Sequence, residues 1–174
     1  MTGIRELSRD CLARFRRRDP NGFLLLYGTL CSTEAAHTVH GLGTALAPLG
    51  KRTVPGSLYD LGAYPGLILG GGQTIAELYR IEDASILPRL DQFEEYDPCD
   101  PTKSLFRRTT IRVPRHTGRK LQEISGTPMI DAWIYVYNGH VGGRSAIVGS
   151  SWHDYQATRL GARRGRALPG PVRS

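Results

Sequence analysis

Phe23-Leu24-Leu25-Leu26-Tyr27-Gly28-Thr29-Leu30 is the stretch of this 174-residue chain on which the predicted fold depends. A fully apolar run ends abruptly in Tyr-Gly-Thr-Leu, and a short apolar run bounded by turn signals is typical of a buried strand. Gly28 permits backbone conformations that other residues resist. The loop after such a strand is a common place for ligand-binding amides, because the strand holds it rigidly. The stretch predicts a buried strand and a candidate binding loop, with a plain strand end as the alternative.

The rest of the chain predicts more strands than helices. Alternating or apolar runs predict strands over residues 44–49, 53–61, 74–81, 105–113 and 132–137. Gly70-Gly71-Gly72 predicts a hairpin-type turn, because the Gly-Lys-Ser/Thr of a phosphate-binding loop does not follow it. Strands without regular β-α alternation favour an α+β sheet or barrel over a doubly wound fold.

The clearest predicted helix begins near Ile86. Spacings of three, four and seven collect one face, made of Ile86, Leu87, Leu90, Phe93 and Glu94. Asp91 and Glu95 fall on another face, and Glu95 is expected to point toward solvent. Glu94 is therefore a carboxylate on an apolar stripe. Such a group leaves water only with a partner or with a raised pKa, so Glu94 is expected either to have a raised pKa or to be half of a buried ion pair with Arg107 or Arg108.

The composition is that of a soluble globular domain, with 40% apolar and 22% charged residues. Residues 1–20 and 159–174 carry +3 and +5 of the net charge of +7, which leaves −1 on the body between them. Charge confined to the two ends argues against a nucleic-acid groove on the folded domain, and makes binding through the tails the weaker alternative.

The two ends are also the predicted domain boundaries. Apolar residues at helical spacing over residues 4–18 predict an N-terminal helical extension, residues 1–21, before a domain over residues 22–159. Residues 160–174 form a basic tail predicted to be disordered. Residues 1–20 lack the apolar core and cleavage site of a signal peptide, and no apolar run approaches the roughly 20 residues that span a bilayer. Three cysteines in no C-x-x-C pair, Cys11, Cys31 and Cys99, predict free thiols in a reducing cytoplasm.

The sequence gives little support for a metal site or for a Ser-His-Asp catalytic triad. His37 and His40 have a spacing that suits a metal, but no nearby Cys, Asp or Glu completes a set of ligands. The chain has no Gly-x-Ser-x-Gly elbow, so a Ser-His-Asp hydrolase is not predicted either.

Six pieces of sequence, in order, give a more specific indication. They are Tyr27-Gly28-Thr29-Leu30, Gly56-Ser57-Leu58-Tyr59-Asp60-Leu61-Gly62 with Tyr64-Pro65-Gly66, Ala76-Glu77-Leu78-Tyr79-Arg80-Ile81, Leu90-Asp91-Gln92-Phe93-Glu94-Glu95-Tyr96, Ser104-Leu105-Phe106-Arg107-Arg108 and Ala132-Trp133-Ile134-Tyr135-Val136-Tyr137. Over roughly residues 22–155, the chain resembles the γ-glutamylcyclotransferase-like superfamily in its AIG2-like branch.

The resemblance implies an α+β fold, a compact mixed β-barrel with flanking helices and a cofactor-free active site at its mouth. Enzymes of the family convert a γ-glutamyl amide to 5-oxoproline and a free amine, so the implied partner is a small γ-glutamyl substrate. The family's general base falls on Glu94 and a substrate-contacting tyrosine falls on Tyr135. Its substrate loop falls on Tyr27, Gly28, Thr29 and Leu30.

Two positions depart from the family pattern. Glu95 stands where the family commonly has the glycine that suits a left-handed helix end. Gly149-Ser150-Ser151-Trp152 lacks the acid of the family's Ser-Gly-Asp-Trp. A family member that binds a small ligand or a protein without turnover therefore stays open as the alternative function.

Overall fold

The computed structural model describes residues 22–31, 42–115, 128–147 and 151–164. The predicted N-terminal helix and residues 165–174 of the basic tail lie outside them. Six strands and two helices lie within them: β1 Phe23–Leu26, β2 Leu46–Asp60, β3 Pro65–Ile81, α1 Ile86–Phe93, β4 Phe106–Pro114, β5 Met129–Tyr137, β6 Ala146–Ile147 and α2 Trp152–Arg164. Helix α2 thus continues into the segment predicted as tail from residue 160.

The six strands form one mixed sheet in the order β4-β5-β1-β3-β2-β6. β1 pairs parallel to β5 and antiparallel to β3. Arg52 of β2 donates hydrogen bonds to the carbonyl oxygens of Pro114, at 2.7 Å, and Arg115, at 2.5 Å, at the end of β4. Because β2 and β4 are far apart in the strand order, these bonds show that the sheet curls into a half-barrel. The α+β prediction is confirmed.

Both faces of β1 are buried, which explains why its sequence is apolar throughout rather than alternating. Leu24 and Leu26 pack in a core that includes the apolar residues of α1. Leu25, which points to the opposite face, packs in a second core with Trp152 of α2. β1 therefore lies between two cores, and its end is held rigidly where the Tyr27–Leu30 loop begins.

Several predicted strands are joined in the structure. The predicted strands over residues 44–49 and 53–61 belong to one strand, β2, with irregularities near its prolines. Gly70-Gly71-Gly72 is not a hairpin turn but a bulge inside β3, because the pairing passes from Pro55–Gln73 directly to Gly56–Leu69. The first two of these glycines have φ values of 88° and 71°, which only glycine adopts readily. Glycine and proline interrupted the local pattern, but pairing with the neighbouring strand continues across them.

The cysteine prediction is wrong in part. Cys31 is free and buried, and burial together with the charge of Glu77 raises the pKa of its thiol to about 12. Cys99 is disulfide-bonded. It lies exposed in the turn-rich loop after α1. The thiols therefore do not support a reducing compartment, and a cytoplasmic location stays a prediction. Neither described helix is long and apolar enough to cross a membrane.

Helix α1 ends in a Schellman motif. The N–H of Glu95 donates to the carbonyl of Gln92 at 3.3 Å, and the N–H of Tyr96 donates to the carbonyl of Asp91 at 2.8 Å. This motif requires a left-handed residue after the helix, and Glu95 has φ 52°. Glu95 is the one non-glycine residue with a positive φ in the described part of the chain. The family's glycine position is thus occupied by a glutamate that keeps the glycine geometry.

We expect Glu95→Gly to raise the free energy of unfolding by up to about 1 kcal/mol. The substitution removes the strain of a left-handed non-glycine residue, partly offset by the greater freedom of glycine in the unfolded chain. Urea denaturation measures the change. Gln92→Gly, at an exposed position inside the same helix, is the control and is expected to lower stability by about 1 kcal/mol. Equal losses in both variants would contradict the interpretation.

Candidate active site

A cavity of about 280 Å³ opens between the end of β1 and the end of α1. All six residues that the family resemblance places in the site line it: Tyr27, Gly28, Thr29, Leu30, Glu94 and Tyr135. The remaining walls and the mouth include Tyr64, Pro65, Phe93, Glu95, Leu105 and Phe106. The loop and the carboxylate, 64 residues apart between Leu30 and Glu94, therefore face one space that a single small ligand can fill.

The loop side of the cavity is a tight turn. The N–H of Cys31 donates to the carbonyl of Gly28 at 3.1 Å, which curls the backbone over the end of β1. A Cβ atom at Gly28 would lie 3.2 Å from Cγ of Pro65, so a larger residue would crowd the cavity wall. Within the described residues, the N–H groups of Gly28, Thr29 and Leu30 donate no hydrogen bond. Amides of this kind are available to an anionic group of a ligand.

Glu94 caps the C-terminus of α1, and its N–H donates to the carbonyl of Leu90 at 2.8 Å. Its side chain is partly buried in the cavity wall. Burial, and secondarily the charge of Asp91, raises the pKa of the Glu94 carboxyl to about 8. In the part of the chain that the structure describes, its carboxylate makes no ion pair or hydrogen bond. The expected alternative, an ion pair with Arg107 or Arg108, is not what the structure shows.

Arg108 instead pairs with Asp91, which was predicted to lie on another face from Glu94. Asp91 is 5% exposed. Its Oδ1 lies 3.3 Å from Nε of Arg108 and accepts a 2.6 Å hydrogen bond from the hydroxyl of Tyr135. The guanidinium of Arg108 lies over the ring of Trp133, 4.6 Å from its centroid. Asp91 thus joins α1 to strands β4 and β5 directly behind the cavity.

The buried stripe of α1 is rotated from the predicted one. Leu87, Leu90 and Asp91 are buried, whereas Phe93 is 44% exposed at the cavity mouth. The spacing leaves the face of Asp91 open, since Asp91 is four residues after Leu87 and three before Glu94, and its burial depends on Arg108 and Tyr135. Burial raises the pKa of Asp91 despite the opposing effects of Arg108 and Tyr135.

Tyr135 has its hydroxyl buried at the back of the cavity. Burial, with the charge of Asp91, raises its pKa well above the ordinary value of a tyrosine, so it stays protonated. Because its proton is donated to Asp91, the hydroxyl oxygen keeps lone pairs that can accept a hydrogen bond. Tyr135 is therefore a protonated, hydrogen-bonded part of the cavity wall.

The described residues contain no group of three or more His, Cys, Asp or Glu side chains placed to hold a metal ion. His37 and His40 lie outside the described residues.

Comparison with known sequences supports the family resemblance. Residues 24–154 match the family described as gamma-glutamyl cyclotransferase, AIG2-like. A gamma-L-glutamyl-butirosin B gamma-glutamyl cyclotransferase from Niallia circulans is 35% identical over 138 residues, which are 79% of this chain and 77% of that protein. A gamma-glutamylcyclotransferase family protein, ytfP, from Citrobacter rodentium is 30% identical over 132 residues, 75% of this chain and 95% of that protein. The chain belongs to the AIG2-like gamma-glutamyl cyclotransferase family.

Solved structures share the fold. The solution structure of ytfP from Escherichia coli has a TM-score of 0.53 and 27% identity, and the match covers 77% of this chain and 98% of that one. The crystal structure of an AIG2-like protein from Mus musculus has a TM-score of 0.50 and 21% identity, over 70% of this chain and 80% of that one. The fold implied by the family resemblance is thereby confirmed.

Proposed function

We propose that this protein is a γ-glutamylcyclotransferase that converts a small γ-glutamyl amine or peptide to 5-oxoproline and a free amine. The observation that carries the proposal is the single cavity lined both by the Tyr27–Leu30 loop and by Glu94, a carboxyl with a pKa of about 8. Family membership supports the reaction class. So does the Niallia circulans relative, whose name gives it a γ-glutamyl cyclotransferase activity.

The reaction needs no protein nucleophile, because the substrate's own α-amine attacks its γ-carbonyl carbon. The new C–N bond closes the five-membered ring, and the bond from that carbon to the departing amine nitrogen breaks. The α-ammonium loses two protons in all, and the departing nitrogen gains two. Holding the chain in its ring geometry exploits proximity, which supplies roughly 7–11 kcal/mol in favourable cases. No cofactor is required for this chemistry.

Glu94 is proposed to move the protons. As a carboxylate it removes a proton from the α-ammonium, and as an acid it delivers one to the departing amine. An ordinary Glu with a pKa near 4.3 is a weak base for an ammonium group. The raised pKa of Glu94 brings the two proton affinities closer together, which favours transfer in both directions.

The loop is proposed to bind and orient the substrate. Its three amides without hydrogen-bond partners in the described chain are suited to the substrate's α-carboxylate or to the oxyanion that develops on the γ-carbonyl. Tyr135 lines the same cavity, and its hydroxyl oxygen is proposed to accept a hydrogen bond from the α-ammonium.

The direct test is to incubate the protein with a panel of γ-glutamyl amines and to quantify 5-oxoproline and free amine. Equimolar release of both products is expected. Binding of the panel without any product would favour the alternative, a family member that binds its ligand without turnover. If the protein neither binds any member of the panel nor releases any product, the site assignment is overturned.

The pH dependence of kcat/KM is a second test. We expect kcat/KM to rise with pH and to level off above an apparent pKa of about 8, because only the deprotonated form of Glu94 accepts the first proton. Initial rates between pH 5.5 and 9.5 measure it, with the substrate's own ammonium titrated separately. A rate that is already constant above pH 5.5 would contradict a base with a raised pKa.

A further inference from the structure

Among the residues that the structure describes, the charged side chains that line the cavity are all acidic. They are those of Glu94 and Glu95, and no Lys, Arg or His of the described ranges lines the cavity. The glutamyl part of a substrate has its own carboxylate, for which the proposed ligands are the amides of the Tyr27–Leu30 loop. Glu94 is assigned to proton transfer. Glu95 is a negative charge at the cavity mouth that the proposed reaction does not use.

The position of Glu95 is held from both sides. Its N–H donates to Gln92 within the helix end, and its carbonyl accepts a 3.1 Å hydrogen bond from the N–H of Leu105. Leu105 itself lines the cavity. With the left-handed φ of 52°, these bonds anchor the backbone of Glu95 at the rim while its side chain remains exposed. The negative charge is therefore part of the mouth and not of a mobile surface loop.

The mouth also carries aromatic rings. Tyr64 is 37% exposed and packs edge-on against Phe106, with ring centroids 5.9 Å apart. Phe93, the neighbour of Glu94, is 44% exposed. Aromatic faces attract cations through the ring quadrupole, and they add to the attraction of a nearby carboxylate.

The size of the cavity determines which part of a substrate meets this rim. A volume of about 280 Å³ is small for a ligand pocket. The γ-glutamyl group must lie inside, where the loop and Glu94 are, because its α-amine and γ-carbonyl react there. The departing amine then extends outward, past Glu95, Tyr64 and Phe93.

We propose that this mouth selects γ-glutamyl conjugates whose amine portion carries a further positive charge, as diamines and polyamines do, and that Glu95 is the residue that determines the selectivity. This inference rests on the proposed function of the same cavity. It predicts a ranking of substrates by charge at a position remote from the reacting bond.

Three matched substrates test it: the γ-glutamyl conjugates of 1,4-diaminobutane, of butylamine and of 4-aminobutyrate, which carry a distal cation, no charge and a distal carboxylate. In the wild type, kcat/KM is expected to be about 3- to 10-fold higher for the cation than for the neutral conjugate, and lowest for the anion. The preference should weaken as salt is added. Glu95→Gln should bring the ratio of cation to neutral conjugate to within about twofold of one.

Glu95→Asp, which keeps the charge, should retain most of the preference. Asp131→Asn removes an exposed acid outside the cavity, and it should leave the ratio at the wild-type value. Turnover of all three conjugates at similar kcat/KM, or a preference that survives Glu95→Gln, would overturn the selectivity while leaving the cyclotransferase function in place. Release of no 5-oxoproline from any conjugate would overturn the proposed function itself, and the selectivity with it.

Discussion

Glu94→Gln is expected to lower kcat/KM for a γ-glutamyl amine by a factor of about 10²–10⁴, the usual contribution of a positioned acid-base group. The amide has nearly the same shape as the carboxyl, so it fills the same part of the cavity wall. It cannot accept a proton from the α-ammonium or return one to the departing amine. Release of 5-oxoproline under conditions of substrate excess measures the loss.

Glu82→Gln is the matched control for this variant. Glu82 lies at the surface in an exposed pair with Arg80 and does not line the cavity, so its substitution should change kcat/KM less than twofold. Thermal unfolding of both variants shows that the fold is intact. A Glu94→Gln protein with activity close to the wild type would exclude Glu94 as the base.

The same variant has a signature in stability. Folded Glu94 keeps its proton up to about pH 8, whereas the unfolded chain releases it near pH 4.5. Between these values the folded state binds more protons, so Glu94 makes the free energy of unfolding fall as pH rises. Glu94→Gln should remove this part of the decline. The free energies of unfolding of the wild type and the variant are compared at pH 5, 6.5 and 8. The difference isolates the contribution of Glu94, because the other titratable groups are the same in both proteins.

Asp91→Ala is expected to produce the largest loss of stability, about 3–5 kcal/mol. The substitution removes the buried carboxylate that pairs with Arg108, whose side chain is 5% exposed, and it removes the acceptor of the Tyr135 hydroxyl. At about 2–4 °C per kcal/mol for a chain of this size, the melting temperature should fall by about 6–20 °C. Calorimetry or thermal circular dichroism measures it.

An exposed ion pair provides the comparison. Asp100 and Lys103 are in contact, but their side chains are 37% and 84% exposed, so Asp100→Ala should cost less than about 1 kcal/mol. Replacing both buried partners, Asp91→Leu with Arg108→Met, should recover much of the stability lost in Asp91→Ala, because the buried positive charge is then removed together with the negative one. A small loss for Asp91→Ala, equal to that for Asp100→Ala, would contradict a buried network behind the cavity.

The segments that line the cavity are short and locally patterned, so the sequence alone could single them out. The apolar run before Tyr27 required a buried strand, and spacing along the helix placed Glu94 on the inner face. The roles of the loop, Glu94 and Tyr135 came from the family resemblance, and they remain proposals. The structure adds that all of them line one cavity.

Asp91 shows what periodicity could not predict. Its burial depends on Arg108 of β4 and Tyr135 of β5, which are 17 and 44 positions away in the chain. A local pattern does not show whether the folded chain brings such distant partners into contact. The same limit applies to Gly70-Gly71-Gly72, whose place inside β3 depends on pairing with β2.

From its own pattern the sequence predicts a buried strand, a glycine-containing loop after it, and a carboxylate on the apolar stripe of the next helical segment. Those features follow from the side chains of consecutive or helically spaced residues. Only the tertiary structure decided that loop and carboxylate meet, that Asp91 and not Glu94 pairs with Arg108, and that Glu95 is anchored at the mouth in a glycine conformation. Each of these depends on contacts between segments that the curled sheet brings together.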